Sequence, residues 1–301
     1  MQKRGFTLIE LSIVLVIIGL IVGGILVGRE LIALAQIRSV ISEMERYSTA
    51  ANSFRSKYNA MPGDLTTQQA TQFVLEPVSR PGVIAGMVSL AHGNSAIETC
   101  ASGVHDIVGS EGALFWRDLY QAGMITTTFT SAIDDIAVVD SDSIPLYFPI
   151  SKISTANWAV TSAMNCTGGP MPALRDAGII SANNYSTTNY YFLGSFDLES
   201  GLIKASAADA DGGARGGLTP VEAYNIDAKL DDGNPFTGKV FSSQNNIFSS
   251  AYIMLLDMGA ASEDQNVAFC TELAGYADGV ATKYNIDRHP DRRVCNLNIR
   301  M

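Results

Sequence analysis

Residues Leu11–Gly28 read LSIVLVIIGLIVGGILVG, 18 consecutive positions without a charge in a chain of 301 residues. As a helix they cover about 27 Å, and Phe6–Glu10 extends the run to the roughly 30 Å of a bilayer's hydrocarbon core. The stretch is long enough to cross a membrane once. Lys3 and Arg4 precede it, and short basic flanks stay on the cytoplasmic side, which puts the bulk of the chain on the far side. A cleaved secretory signal would end its apolar run with small residues and a cleavage site. Here Arg29, Glu30 and a long amphipathic pattern follow instead, so the apolar segment is expected to stay attached.

Glu10 is the anomaly, a carboxylate about one turn inside an apolar span, where an unpaired charge costs about 3 kcal/mol. The run Lys3-Arg4-Gly5-Phe6-Thr7-Leu8-Ile9-Glu10-Leu11 resembles the amino terminus of type IV prepilins and type II secretion pseudopilins. The resemblance implies cleavage after Gly5 by a prepilin peptidase and N-methylation of the new terminal Phe6. It further implies pilin or pseudopilin subunits as partners and an inner-membrane assembly platform. Cleavage would create an α-amine of ordinary pKa about 8, mostly cationic at neutral pH. A staggered neighbour could bring that amine to Glu10, and the pair would then desolvate together. Glu10 is accordingly expected to act in assembly, and Lys3 and Arg4 to supply the leader charge.

Beyond the span, apolar residues fall at Ile37, Val40, Met44, Tyr47, Ala51, Phe54 and Tyr58, spacings of three and four that specify an amphipathic helix. Arg38, Glu43, Glu45, Arg46 and Lys57 are assigned to its polar face. Met61-Pro62-Gly63-Asp64 is expected to stop it, since proline excludes helical geometry before it. A continuous helix from Phe6 to Tyr58 would be about 80 Å long. Gly19, Gly23, Gly24 and Gly28 form small-xxx-small patterns suited to close helix approach, although glycine is common in membrane helices anyway. Filaments of the resembled family often lose helicity here beside a proline. This chain has none before Pro62, so any melting would depend on glycine. The expected division is a cytoplasmic leader over 1–5, a membrane or filament-core helix over 6–28, an amphipathic helix over 29–61 and a head over 62–301.

In the head, Ser110 can cap a helix beginning at Glu111, with Phe115, Trp116, Leu119 and Tyr120 on its buried face and Gly123 at its end. Thr219-Pro220-Val221-Glu222 reads as a capping box opening a helix that ends near Leu230. Strands are expected at 136–139, 146–150, 190–193, 239–241 and 252–256. The fold class is α+β, a long amino-terminal helix packed on an antiparallel β-sheet head with inserted helices and loops. Tyr58–Asp64, Phe115–Leu119 and Ile226–Gly233 are similar to segments of large, poorly characterised prepilin-like proteins, which suggests one continuous head domain.

The formal net charge of −10 argues against a nucleic-acid surface, and 47% apolar residues argue against disorder. Cys100, Cys166, Cys270 and Cys295 all fall in the exported part, where disulfides are permitted. Three pairings are possible. The favoured one joins Cys270 with Cys295, closing a loop worth roughly 3–4 kcal/mol, and Cys100 with Cys166. No CxxC or HxxxH spacing supports zinc, and His92, His105 and His289 are scattered. No cofactor is required. Asp231, Asp232 and Asn234 around Gly233 could supply oxygen ligands to calcium, as could Asp209 and Asp211, but neither stretch completes an EF-hand pattern. Some secretion pseudopilins carry a calcium loop whose ligands do not align here. Lys283, Arg288, Arg292, Arg293 and Arg300 form a basic cluster interleaved with Asp287 and Asp291, which reads first as a solvated face.

No G-x-S-x-G elbow, paired metal motif or phosphate loop gives the Ser, Asp and His residues a catalytic geometry, so an enzyme is not expected. The leading reading is a processed filament subunit of a type IV pilus or a type II secretion pseudopilus. It would be held in the inner membrane with its amino terminus inside and its head periplasmic. The alternative is a minor tip or adhesin subunit whose large head binds a surface, glycan or secreted substrate.

Overall fold

The computed structural model describes residues 8–76, 93–97, 111–130, 144–153, 155–162, 188–199, 202–205, 216–235, 237–243, 270–271, 283–287 and 290–301. Helix α1 (Leu8–Tyr58) runs 51 residues without interruption, through all four glycines of the apolar run. Its carboxyl-terminal half buries Ile37, Val40, Met44, Tyr47, Ala51, Phe54 and Tyr58, the stripe that three-and-four spacing specifies. Glu43 is buried with them, which corrects its assignment to the polar face.

The stop of α1 differs from the expected one. Asn59 adopts a left-handed φ of 51° and donates its N–H to the Arg55 carbonyl at 2.9 Å, so an αL residue ends the helix before Pro62 can act. The Pro-Gly-Asp sequence does a different job. Gly63, at φ +86°, donates its N–H to Asp118 Oδ2 at 2.7 Å, and a Cβ there would collide with the Glu111 carbonyl. Buried Asp64 accepts N–H groups from Gly93, Asn94 and Ser95. These contacts tie the end of α1 to the next layer.

Helix α2 (Thr67–Phe73) opens with a Thr66/Gln69 capping box that the sequence analysis passed over. Helix α3 (Glu111–Gln121) forms where expected and is followed by Gly123 at φ 70°, while Ser110 lies outside the described residues. Residues 146–150 do not form a strand. Pro145 sits instead in a short helix, α4 (Ile144–Tyr147), closed by Phe148 N–H to the Ile144 carbonyl at 3.0 Å, and Ile150 makes a single bridge to Asn157. Proline suits a first helical turn and supplies no N–H to a ladder, and burial of Ile144 and Phe148 holds the turn.

Strands β1 (Asn157–Ser162), β2 (Asn189–Gly194), β3 (Phe196–Glu199) and β4 (Leu202–Ala205) follow. Then come helix α5 (Pro220–Leu230) and strands β5 (Val240–Ser243) and β6 (Asn296–Arg300). The main sheet has the order β1-β2-β6-β5, antiparallel throughout, and β3 and β4 form a separate hairpin. Trp158 stands opposite Leu193 and Val160 opposite Tyr191, which faces Ile299. This sheet face meets α1. Tyr47 packs edge-on against Trp116 at 4.8 Å and Trp158 at 6.0 Å, and Phe115 reaches Tyr191 at 6.3 Å. Helices α3 and α5 both touch α1, with α3 next to β1 and α5 next to β5. The expected strands at 190–193 and 239–241 are present as parts of β2 and β5, whereas 136–139 and 252–256 lie outside the described residues.

Candidate functional site: the bare stem and its joint with the head

Among the described residues, none covers the first part of α1. From Leu8 to Gln36 every residue but Gly28 is exposed, and Leu11, Val16, Leu20, Ile25 and Leu31 among others present their side chains outward. No atom lies within 4 Å of where a Cβ would stand at Gly19, Gly23, Gly24 or Gly28, so the glycine side is open as well. This helix is apolar all round, which in water would leave a large unfavourable surface and in lipid is the ordinary condition. Its length and composition are those of a membrane-crossing helix. Glu10 stands exposed in the first described turn.

The joint with the head begins abruptly at Ile37, which is 3% exposed. Two turns further, Glu43 Oε2 accepts the Lys152 backbone N–H and the Trp158 indole N–H, each at 3.2 Å. One carboxylate thus bonds the stem helix to the segment before β1 and to β1 itself. Burial pushes the Tyr47 and Tyr191 hydroxyls above the ordinary tyrosine range, as their place in this layer dictates.

The carboxyl-terminal third has its own fastening. Cys270 and Cys295 are joined by a disulfide, both fully buried, and Ser242 Oγ lies 2.8 Å from Cys270 Sγ. Thr271 bridges to Tyr284, and the Tyr284 hydroxyl donates to Asp227 Oδ2 of α5 at 2.7 Å. Burial pushes the Asp227 carboxyl up to about 6, the Tyr284 and Gly233 donors opposing it, while burial and the neighbouring Asp227 drive the Tyr284 phenol upward. Ligating oxygens of Asp227, Asp231 and Asp232 lie within 4.8 Å of one another. Each carboxylate is engaged by the loop. Gly233 N–H bonds Asp227, Lys239 N–H bonds Asp231, and Thr237 Oγ1–H and Asn234 N–H bond Asp232, whose pKa the Thr237 bond holds down. Gly238, at φ +78°, leaves room for the Asp231 carboxylate where a Cβ would sit.

Residues 1–26 match the family described as the prokaryotic N-terminal methylation motif. This chain is prepilin-like at its amino terminus. The motif is the hallmark of type IV prepilin-like proteins, the pilin and pseudopilin class of structural subunits, and it implies processing by prepilin peptidase and assembly with other pilin subunits. No curated protein and no solved structure matches the chain.

The structure distributes the sequence-derived residues unevenly. Lys3, Arg4, Gly5, Phe6, Cys100 and Cys166 lie outside the described residues, as do the three histidines, Asp209, Asp211 and Arg288. Asp231 and Asp232 come together with Asp227, which the sequence analysis missed; its position four residues before Asp231 on α5 was the available signal. Of the basic cluster, Arg293 pairs with Glu222 at 3.0 Å and donates to the Gly217 carbonyl at 2.8 Å, and Arg300 stacks over Phe241. Those two arginines make contacts within the fold, and Lys283 and Arg292 lie at exposed positions. Glu43 was the main residue missed, because a glutamate beside Met44 and Glu45 carries no sign that a tryptophan indole will meet it.

Proposed function

We propose that this protein is a filament subunit that waits in the inner membrane with its amino terminus in the cytoplasm and its head in the periplasm. Prepilin peptidase removes residues 1–5 after Gly5, Phe6 is N-methylated, and the subunit then joins a type IV pilus or a type II secretion pseudopilus through residues 6–28. The observation that carries this reading is the division of α1: its first half is exposed, with no described residue covering it, and its second half is buried in the core of the head. Such a helix must find lipid or other helices. Glu10, a carboxylate within the apolar run, is placed where a neighbour's terminal amine can meet it. Residues 29–61 link the stem to the head over 62–301. The length of that head supports a second reading, a tip or adhesin subunit present in few copies, which quantification of subunits per filament separates from the first.

Mass spectrometry of assembled protein should find N-methyl-Phe6 as the first residue, and Gly5→Val should leave the leader attached. An intact Met1 terminus on assembled protein would reject the proposal. Glu10→Gln should still insert and be cleaved, and its head should melt like wild type, yet its incorporation into filaments should fall sharply. Wild-type filament levels from this variant would reduce Glu10 to an incidental carboxylate.

A further inference from the structure

The bare part of α1 outlasts the span that a hydrocarbon core needs. Leu8–Gln36 is 29 residues, about 44 Å of helix, whereas the core is roughly 30 Å thick and the bilayer with its headgroup layers roughly 40–45 Å. The excess lies at the head end, after the Arg29–Glu30 pair. There Leu31 and Ile32 are each 62% exposed and Leu34 41% exposed, with Ala33 and Ala35 exposed between and after them. At 100° per residue these five positions go fully round the helix, so the collar is apolar on every side. A neighbouring helix covers one side of such a collar; a lipid layer covers all of it. Cover by the head starts only at Ile37.

We propose that the collar Leu31–Gln36 is a seat in the outer headgroup layer of the membrane. In the unassembled subunit the head then rests directly on the lipid surface with no water-exposed neck. This deepens the reading of a membrane-held subunit and rests on it. Exposure carries the argument: the exposed surface of the span continues past the Arg29–Glu30 pair into the apolar collar and ends where the head begins. The charged residues fit the same depth. Arg29 and Glu30 fall at the level where the core ends. Guanidinium groups at that level face lipid phosphates, which they bind as forked donors.

The test uses the full chain in phosphatidylcholine vesicles carrying quenchers either at the headgroup or in mid-chain. An environment-sensitive fluorophore is placed, without reduction, on Leu20→Cys, Ile32→Cys, Leu34→Cys or Asn52→Cys, with unsubstituted protein as background. The label at position 20 should be quenched by the mid-chain probe. Labels at 32 and 34 should be quenched by the headgroup probe at least twofold more than the label at 52, which an aqueous quencher should reach. Labels at 32 and 34 that behave like the one at 52 overturn the proposal. Emission at 32 and 34 that changes on tenfold dilution with lipid identifies a second copy as the cover and also overturns it. Failure at position 20 as well removes the membrane reading itself, so the two failures are distinguishable.

Discussion

Glu43 shows how one residue can change meaning between sequence and structure. In the helical pattern it reads as solvated; in the fold it is 8% exposed and accepts N–H groups from two separate elements. Removing it leaves a buried indole N–H and a backbone N–H without an acceptor, each costing about 1–3 kcal/mol. Glu43→Ala should therefore lower head stability by about 2–4 kcal/mol in urea unfolding, and Glu43→Gln, which keeps an acceptor oxygen, by clearly less. Asp227 carries a pH signature. Its carboxyl is raised by burial to about 6, against about 3.9 in an unfolded chain. A raised acid stabilises the fold in its protonated form, so the contribution is full below about pH 4 and is lost as pH rises through about 6. The melting temperature of wild type relative to Asp227→Asn, measured in chelating buffer, should fall between about pH 4 and pH 6. A difference independent of pH would show that Asp227 titrates as an ordinary carboxylate.

At the scale of elements, the long helix, α3 and the capped helix α5 were legible because their signals are local. Thr219 and Glu222 bond each other across three residues, and the stripe from Ile37 to Tyr58 needs only a period of 3.6. The strands were less so. β6 alternates Asn296, Leu297, Asn298 and Ile299, and asparagine is poor in strands by propensity; here Asn296 Oδ1 accepts the Ser195 and Gly217 N–H groups, a use visible only after folding. The β3–β4 hairpin had a Ser200-Gly201 signal in the sequence that was not used. The disulfide belongs to this scale because it joins the start of β6 to the segment that bridges Tyr284. With a separation of 25 residues, replacing both Cys270 and Cys295 by Ser should cost about 3–4 kcal/mol by the loop-entropy relation, read from denaturant midpoints of the head. A loss below 1 kcal/mol would mean that the Asp227–Tyr284 bond and the β5–β6 pairing hold this region alone.

For the whole molecule, α1 is divided: its first half is exposed and its second half is buried in the head. Deleting residues 1–36 should leave a soluble chain that keeps Ile37, Val40, Tyr47 and Phe54 in its core and melts cooperatively by circular dichroism. Deleting residues 1–58 removes that core layer and should abolish the cooperative transition. Equal melting of both would show that the sheet folds without the helix. The sequence by itself determined the apolar stem, its methylation motif and the register of its buried stripe. Hydrophobic length, flanking charge and helical period all act within a few turns of the chain, so each is legible residue by residue. The tertiary structure alone decided the strand order β1-β2-β6-β5, the burial of Glu43 against Trp158 and the gathering of Asp227 with Asp231 and Asp232. It also decided that Asn59 ends α1, where Pro62 was the visible stop. The strand order and the Glu43 contact depend on partners tens of residues away; the Asp227 cluster depends on the turn that ends α5, and the Asn59 stop on a left-handed turn that precedes the contacts of Gly63 and Asp64 with the next layer.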